Sequence, residues 1–93
     1  MTALRSQLLG MKMEYASKSQ AATALIMRQA HRVAEIECDT LLAWEDAINL
    51  DWLRRRYGDY ARQAKVYKEK PEYTTAKLTV IKRVAKQVKE DNE

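Results

Sequence analysis

Two glycines, one proline and no phenylalanine stand in 93 residues. That scarcity leaves little turn chemistry and favours helices joined by short connections. The one cysteine, Cys38, excludes an intramolecular disulfide and suits a cytosolic chain. The one histidine, His31, cannot build a histidine-rich metal site, and together with Cys38 it falls short of the usual zinc ligand set. No apolar run approaches the ~20 residues needed to cross a bilayer. The opening segment MTALRSQLLGMKMEY lacks the apolar centre of a signal peptide. A soluble, cytoplasmic protein with no membrane association is expected.

Chemistry is equally sparse. There is no glycine loop to cradle a phosphate. Glu35, Glu37 and Asp39 lack the spacing and the glycine turn of a calcium loop. Asp39 beside Cys38 disfavours a thiolate, so a cysteine nucleophile is not expected. His31 has Glu35 one turn on, which suits a surface ion pair better than acid–base work in a pocket. These absences lead to a protein that is not an enzyme and needs no cofactor or metal.

What the chain does have is segregated charge. From Arg28 to Asp51 there are two basic and six acidic residues; from Trp52 to Lys89 there are twelve basic and three acidic. A formal net charge of +4 therefore conceals an acidic stretch, a strongly basic stretch and the acidic end Glu90, Asp91 and Glu93. Such a division points to a charged partner.

Helical periodicity runs through most of the chain, and no strand alternation or repeat interrupts it. Leu4, Leu8, Met11 and Tyr15 predict a first helix over 3–17. Ser17 or Ser19 is placed to cap a second segment, with an apolar stripe at Ala22, Ile26, Ala30 and Val33. Cys38, Asp39 and Thr40 read as an interruption, with Asp39 or Thr40 capping the next helix. From there either one helix runs to about Glu69, or Asn49 or Asp51 caps a new one. Pro71 marks a boundary within a 70–74 connector, because it lacks an N–H and disfavours helical geometry at Lys70. Thr74 or Thr75 then caps a last helix over 75–90, with Leu78, Val80, Ile81, Val84, Ala85 and Val88 on one side. Lys82, Arg83, Lys86 and Lys89 take the other side, and residues 90–93 are expected to fray. The fold class is all-α: one domain over 1–93, an irregular bundle or long helical hairpin of three to five helices.

The candidate binding residues are Trp52, Arg54, Arg55, Arg56, Tyr57 and Tyr60, then Lys82, Arg83 and Lys86. Arginine forks suit carboxylates and phosphates, and arginine with tyrosine and tryptophan is the composition of interface hot spots. The same mixture suits base stacking in nucleic-acid binders. The plain alternative is a solvated face paired with Glu45, Asp46, Asp51 or Asp59. Three consecutive arginines on a helix spread over ~200°, so they cannot all face one partner. Trp44 and Ile48 are assigned to the core. Pro71, within the polar segment KEKPEYTT, is either a simple helix boundary or an exposed docking point for a prolyl isomerase.

The segments MTALRSQLLGMKMEYASKSQ, WEDAINLDWLRRRYGDYARQ and KEKPEYTTAKLTVIKR give the chain a character that resembles the small anti-RecBCD accessory proteins of lambdoid bacteriophages, the Abc type. The resemblance spans the whole chain and rests on overall character, with no diagnostic motif and no functional residue that carries over position by position. It implies a protein that binds the host RecBCD helicase–nuclease through protein contacts and inhibits or redirects it, so that linear phage DNA survives and recombines. Mimicry of DNA is not implied, since such mimics are acidic and this chain is basic. The alternative from the residues alone is a small basic helical protein that contacts DNA or RNA directly.

Overall fold

A computed structural model describes residues 3–91. Four α-helices follow one another: α1 (Ala3–Ala21), α2 (Leu25–Ala43), α3 (Leu50–Val66) and α4 (Pro71–Asp91), with a single 3-10 turn, Glu45–Ala47, between α2 and α3. Among the described residues there is no strand. The all-α bundle expected from the periodicity is the fold observed. No helix is long and apolar enough to cross a membrane.

α1 and α2 form an antiparallel hairpin, and α4 packs against it while holding α3 on its other flank. The core takes Leu8, Met11 and Tyr15 from α1, Ala34, Cys38 and Leu41 from α2, Leu53 from α3, and Val80, Ile81 and Val84 from α4. Ala30, Ala34 and Cys38 are small buried residues of α2. Of the stripe expected on α2, only Ala30 is buried; Ala22, Ile26 and Val33 are half-exposed. The true buried face is rotated towards these smaller side chains, which a search for large apolar residues passes over. α3 contributes one fully buried side chain, Leu53, to the core.

The boundaries differ from the periodicity at both ends of α2 and around Pro71, while the expected cap at Asn49 is observed. α1 continues through Ser17 and Ser19 to Ala21, so neither serine caps α2; the Ser19 hydroxyl instead donates to the Arg28 carbonyl at 2.9 Å, tying the end of α1 to α2. α2 runs unbroken through Cys38, Asp39 and Thr40 to Ala43, because Cys38 and Leu41 are core positions whose burial outweighs weak local propensity. The break falls at Trp44–Asn49, and Asn49 caps α3 by accepting from the Trp52 backbone N–H at 2.8 Å. Finally, α4 starts at Pro71 itself, not at Thr74 or Thr75. A proline at the first helical position loses no bond, since that N–H would have no partner within the helix. The connector is therefore 67–70, and Glu90 and Asp91 belong to α4; Asn92 and Glu93, the rest of the expected frayed end, lie outside the described residues.

α3 ends in a Schellman motif. The Glu69 N–H reaches back to the Ala64 carbonyl at 3.0 Å, and Lys68 adopts φ 52° to allow it. The left-handed conformation costs a non-glycine residue about 1 kcal/mol. Lys68→Gly is therefore expected to stabilise the fold by up to about 1 kcal/mol, read as a higher urea midpoint, whereas Lys68→Ala gains nothing.

Candidate binding surface

The candidate residues divide into two groups, and burial is what separates them. Arg56 and Tyr60 lie one turn apart on α3 and both point to Glu37 on α2. Arg56 Nε donates to Glu37 Oε2 at 2.7 Å, and Arg56 Nη2 donates to Glu37 Oε1 at 3.0 Å, a bidentate fork. The Tyr60 hydroxyl donates to Glu37 Oε1 at 2.5 Å while accepting from Arg56 Nη2 at 2.5 Å. The Glu37 side chain is only 4% exposed. The hydrogen bonds to Glu37 raise the Arg56 guanidinium above its ordinary value, against the opposing effect of burial. Burial, then the bond to Glu37, pushes the Tyr60 phenol up, so it stays a neutral donor. The Arg56 guanidinium also lies 5.4 Å from the Trp52 ring centre and 4.9 Å from that of Tyr60.

Arg83 on α4 is engaged with α1, in a pair more open to solvent than that of Arg56 with Glu37. It pairs with Glu14 at 2.8 Å, donates to the Tyr15 hydroxyl at 3.2 Å and stands over the Tyr15 ring. The Arg83 hydrogen bond holds the Glu14 carboxyl below its usual range. Arg56 and Arg83 thus link helices to one another. His31 stacks on Tyr15, and Glu35 pairs with Arg32 rather than with His31.

The remaining cations face water. Arg55 is 78% exposed and makes only the one-turn ion pair with Asp51 at 2.8 Å. Arg54, Lys82 and Lys86 are exposed, and among the described residues none of the three has a carboxylate partner. Arg54 from α3 and Lys82 from α4 flank one groove, whose floor includes Leu53, Tyr57, Ile81 and Ala85. A second open depression lies on the far side of α3, lined by Trp44, Trp52, Arg55, Arg56 and Asp59. Trp44, assigned to the core from its spacing, is 52% exposed there; Ile48 does pack against the core. The early end of α2 places Trp44 in the turn and directs its indole outward. Pro71 is exposed at the start of α4.

Burial pushes the Cys38 thiol up to about 12, and its position in the core leaves it inert. Among the described residues no group of three or more His, Cys, Asp or Glu side chains converges where it could hold a metal ion. No protein-family model, curated protein or solved structure matches the chain.

Sequence reasoning missed Glu37 as the partner of Arg56. The signal was present: Glu37 falls on the face that carries Ala30, Ala34, Cys38 and Leu41, and a carboxylate on an apolar face demands a cation. Reading Cys38–Thr40 as an interruption hid that face. Removing one member of a buried pair leaves an uncompensated charge, which costs about 3–5 kcal/mol. Glu37→Ala is therefore expected to lower stability by that order in urea unfolding, while Arg55→Ala, which breaks an exposed pair, should change it by less than about 1 kcal/mol.

Proposed function

We propose that this protein is a binding module of the bacterial cytoplasm without a reaction of its own, and that its target is the RecBCD helicase–nuclease, which it inhibits or redirects through protein contacts. The target comes from the resemblance to phage anti-RecBCD proteins. The observation that supports a protein partner is the state of the aromatic rings. Trp52 and Tyr60 carry the Arg56 guanidinium, Tyr60 also carries the Lys77 ammonium at 4.9 Å, and Tyr57 carries the Lys82 ammonium at 5.6 Å. These ring faces are already occupied by the protein's own cations, so stacking of bases on them would have to displace existing contacts. Exposed Arg54, Arg55, Lys82 and Lys86 remain available to carboxylates on a protein surface, and their charge would speed association.

The basic stripe of Lys82, Lys86 and Lys89 on α4 supports a second reading, direct contact with DNA phosphates. The two separate by salt dependence and by nuclease. A tagged protein used to capture partners from a nuclease-treated bacterial lysate is expected to retain RecBCD in stoichiometric amount, and Arg55→Glu/Lys86→Glu is expected to weaken that capture. Loss of every partner after nuclease, with purified DNA bound in a steeply salt-dependent way, would replace the first reading by the second.

Pro71 enters the same reading as a docking point for a host prolyl isomerase, supported by its exposure next to the 67–70 connector. A prolyl isomerase is then expected in the captured complex with the native chain and missing with Pro71→Ala. Equal recovery with both would remove Pro71 from the interface.

A further inference from the structure

The groove between α3 and α4 combines an apolar floor with a cationic rim. Its floor is apolar: Leu53 and Ile81 at the bottom, Tyr57 and Ala85 on the walls. Its volume is about 180 Å³, room for a large apolar side chain. Its rim is cationic on both sides, Arg54 from α3 and Lys82 from α4.

Those two cations belong to the part of the chain's positive charge that its own carboxylates leave unneutralised. Arg5, Lys12, Lys18, Arg32, Arg55, Arg56, Arg62, Lys77 and Arg83 all have carboxylate partners. Arg54 and Lys82 have none among the described residues, although acidic side chains are plentiful elsewhere on the surface. Lys86 and Lys89 continue the line of positive charge along α4, on the helical face that carries Lys82. Apolar floor and unneutralised cationic rim occur in the same groove, and the two features ask for the same occupant.

We infer that the α3–α4 groove receives an acidic amphipathic helix of the partner protein, with an apolar side chain seated over Leu53 and Ile81 and flanking carboxylates on Arg54 and Lys82. The inference rests on the protein-partner reading and specifies the chemistry of the segment that is recognised. A helix laid along a groove between two helices offers apolar side chains at i, i+3 and i+4 on one face and carboxylates on both edges. Duplex DNA offers the charge without an apolar side chain to fill the floor. A hydrophobic segment without acidic residues fills the floor and leaves the rim unpaired. Only the combination satisfies both.

The test uses the full chain and a synthetic fluorescein-labelled peptide with leucines on one helical face and glutamates along both edges. Fluorescence anisotropy is expected to show saturable binding, at least about tenfold tighter than for a peptide of the same composition with the leucines scattered over all faces. Two variants separate floor from rim. Ala85→Trp fills the groove with no change of charge, and Arg54→Gln/Lys82→Gln removes the rim cations while leaving Leu53 and Ile81 in place; each is expected to weaken binding about tenfold or more while the far-UV circular dichroism stays native. Chemical-shift changes in the native protein provide a readout that needs no variant, and they are expected along α3 and α4. Equal binding of the scattered peptide, displacement of the labelled peptide by an oligonucleotide of equal charge, or shifts confined to α1 and α2 would each overturn the inference. Peptide binding in the groove without capture of RecBCD would remove that target and leave the groove assigned. RecBCD capture undiminished by Ala85→Trp would do the reverse.

Discussion

The charge of Glu37 governs how the bundle is put together. A carboxylate sealed from water demands compensation of several kcal/mol, and here compensation comes from two residues of a single helix turn, Arg56 and Tyr60. Both stand on α3, which buries Leu53 fully in the core and packs Trp52, Tyr57 and Tyr60 partly against it. α3 is therefore held by a hydrophobic face centred on Leu53 and by a polar anchor on α2. The polar anchor sets the rotation of α3 about its own axis. With Arg56 turned inward, the preceding Arg54 and Arg55 are turned to either side, one towards the groove shared with α4 and the other towards the depression beside Trp44.

The run Arg54–Arg55–Arg56 thus serves three purposes on one helix. Adjacent residues on a helix differ by about 100° in direction, so a triplet of identical side chains meets three environments. Arg56 is structural, Arg55 is a solvated side chain with a one-turn partner, and Arg54 borders an apolar groove. The net charge of the basic stretch overstates the positive surface for this reason: Arg56 and Arg83 are neutralised by carboxylates contributed from outside it, Glu37 and Glu14.

The helical class, the apolar face of α1 and that of α4 were legible in the sequence, because each rests on large apolar residues repeated at one spacing. Asn49 as a cap was legible too, as one of two alternatives. What could not be read locally were features decided by contacts between distant segments. α2 passes through Cys38–Thr40 because the core needs Cys38 and Leu41 there, not because the local residues favour helix. Pro71 is a start signal here, although its sequence context reads equally as a connector, since the same residue both ends and begins helices. The inward turn of Arg56 and Arg83 depended on acidic partners 19 and 69 residues away. Identity of the side chain indicated binding capacity, while burial decided which partner claimed it.

α4 is the helix that both the α1–α2 hairpin and α3 lean on, and it follows them along the chain. A ribosome building the protein from its N-terminal end can release the hairpin as a local unit, since α1 and α2 are neighbours. The apolar seam on Leu8, Leu41 and Leu53 then stays uncovered until Val80, Ile81 and Val84 have been synthesised. The newborn chain consequently passes through an adhesive interval that closes only when its fourth helix arrives, and chaperone holdases that favour exposed apolar surface have that interval in which to engage it.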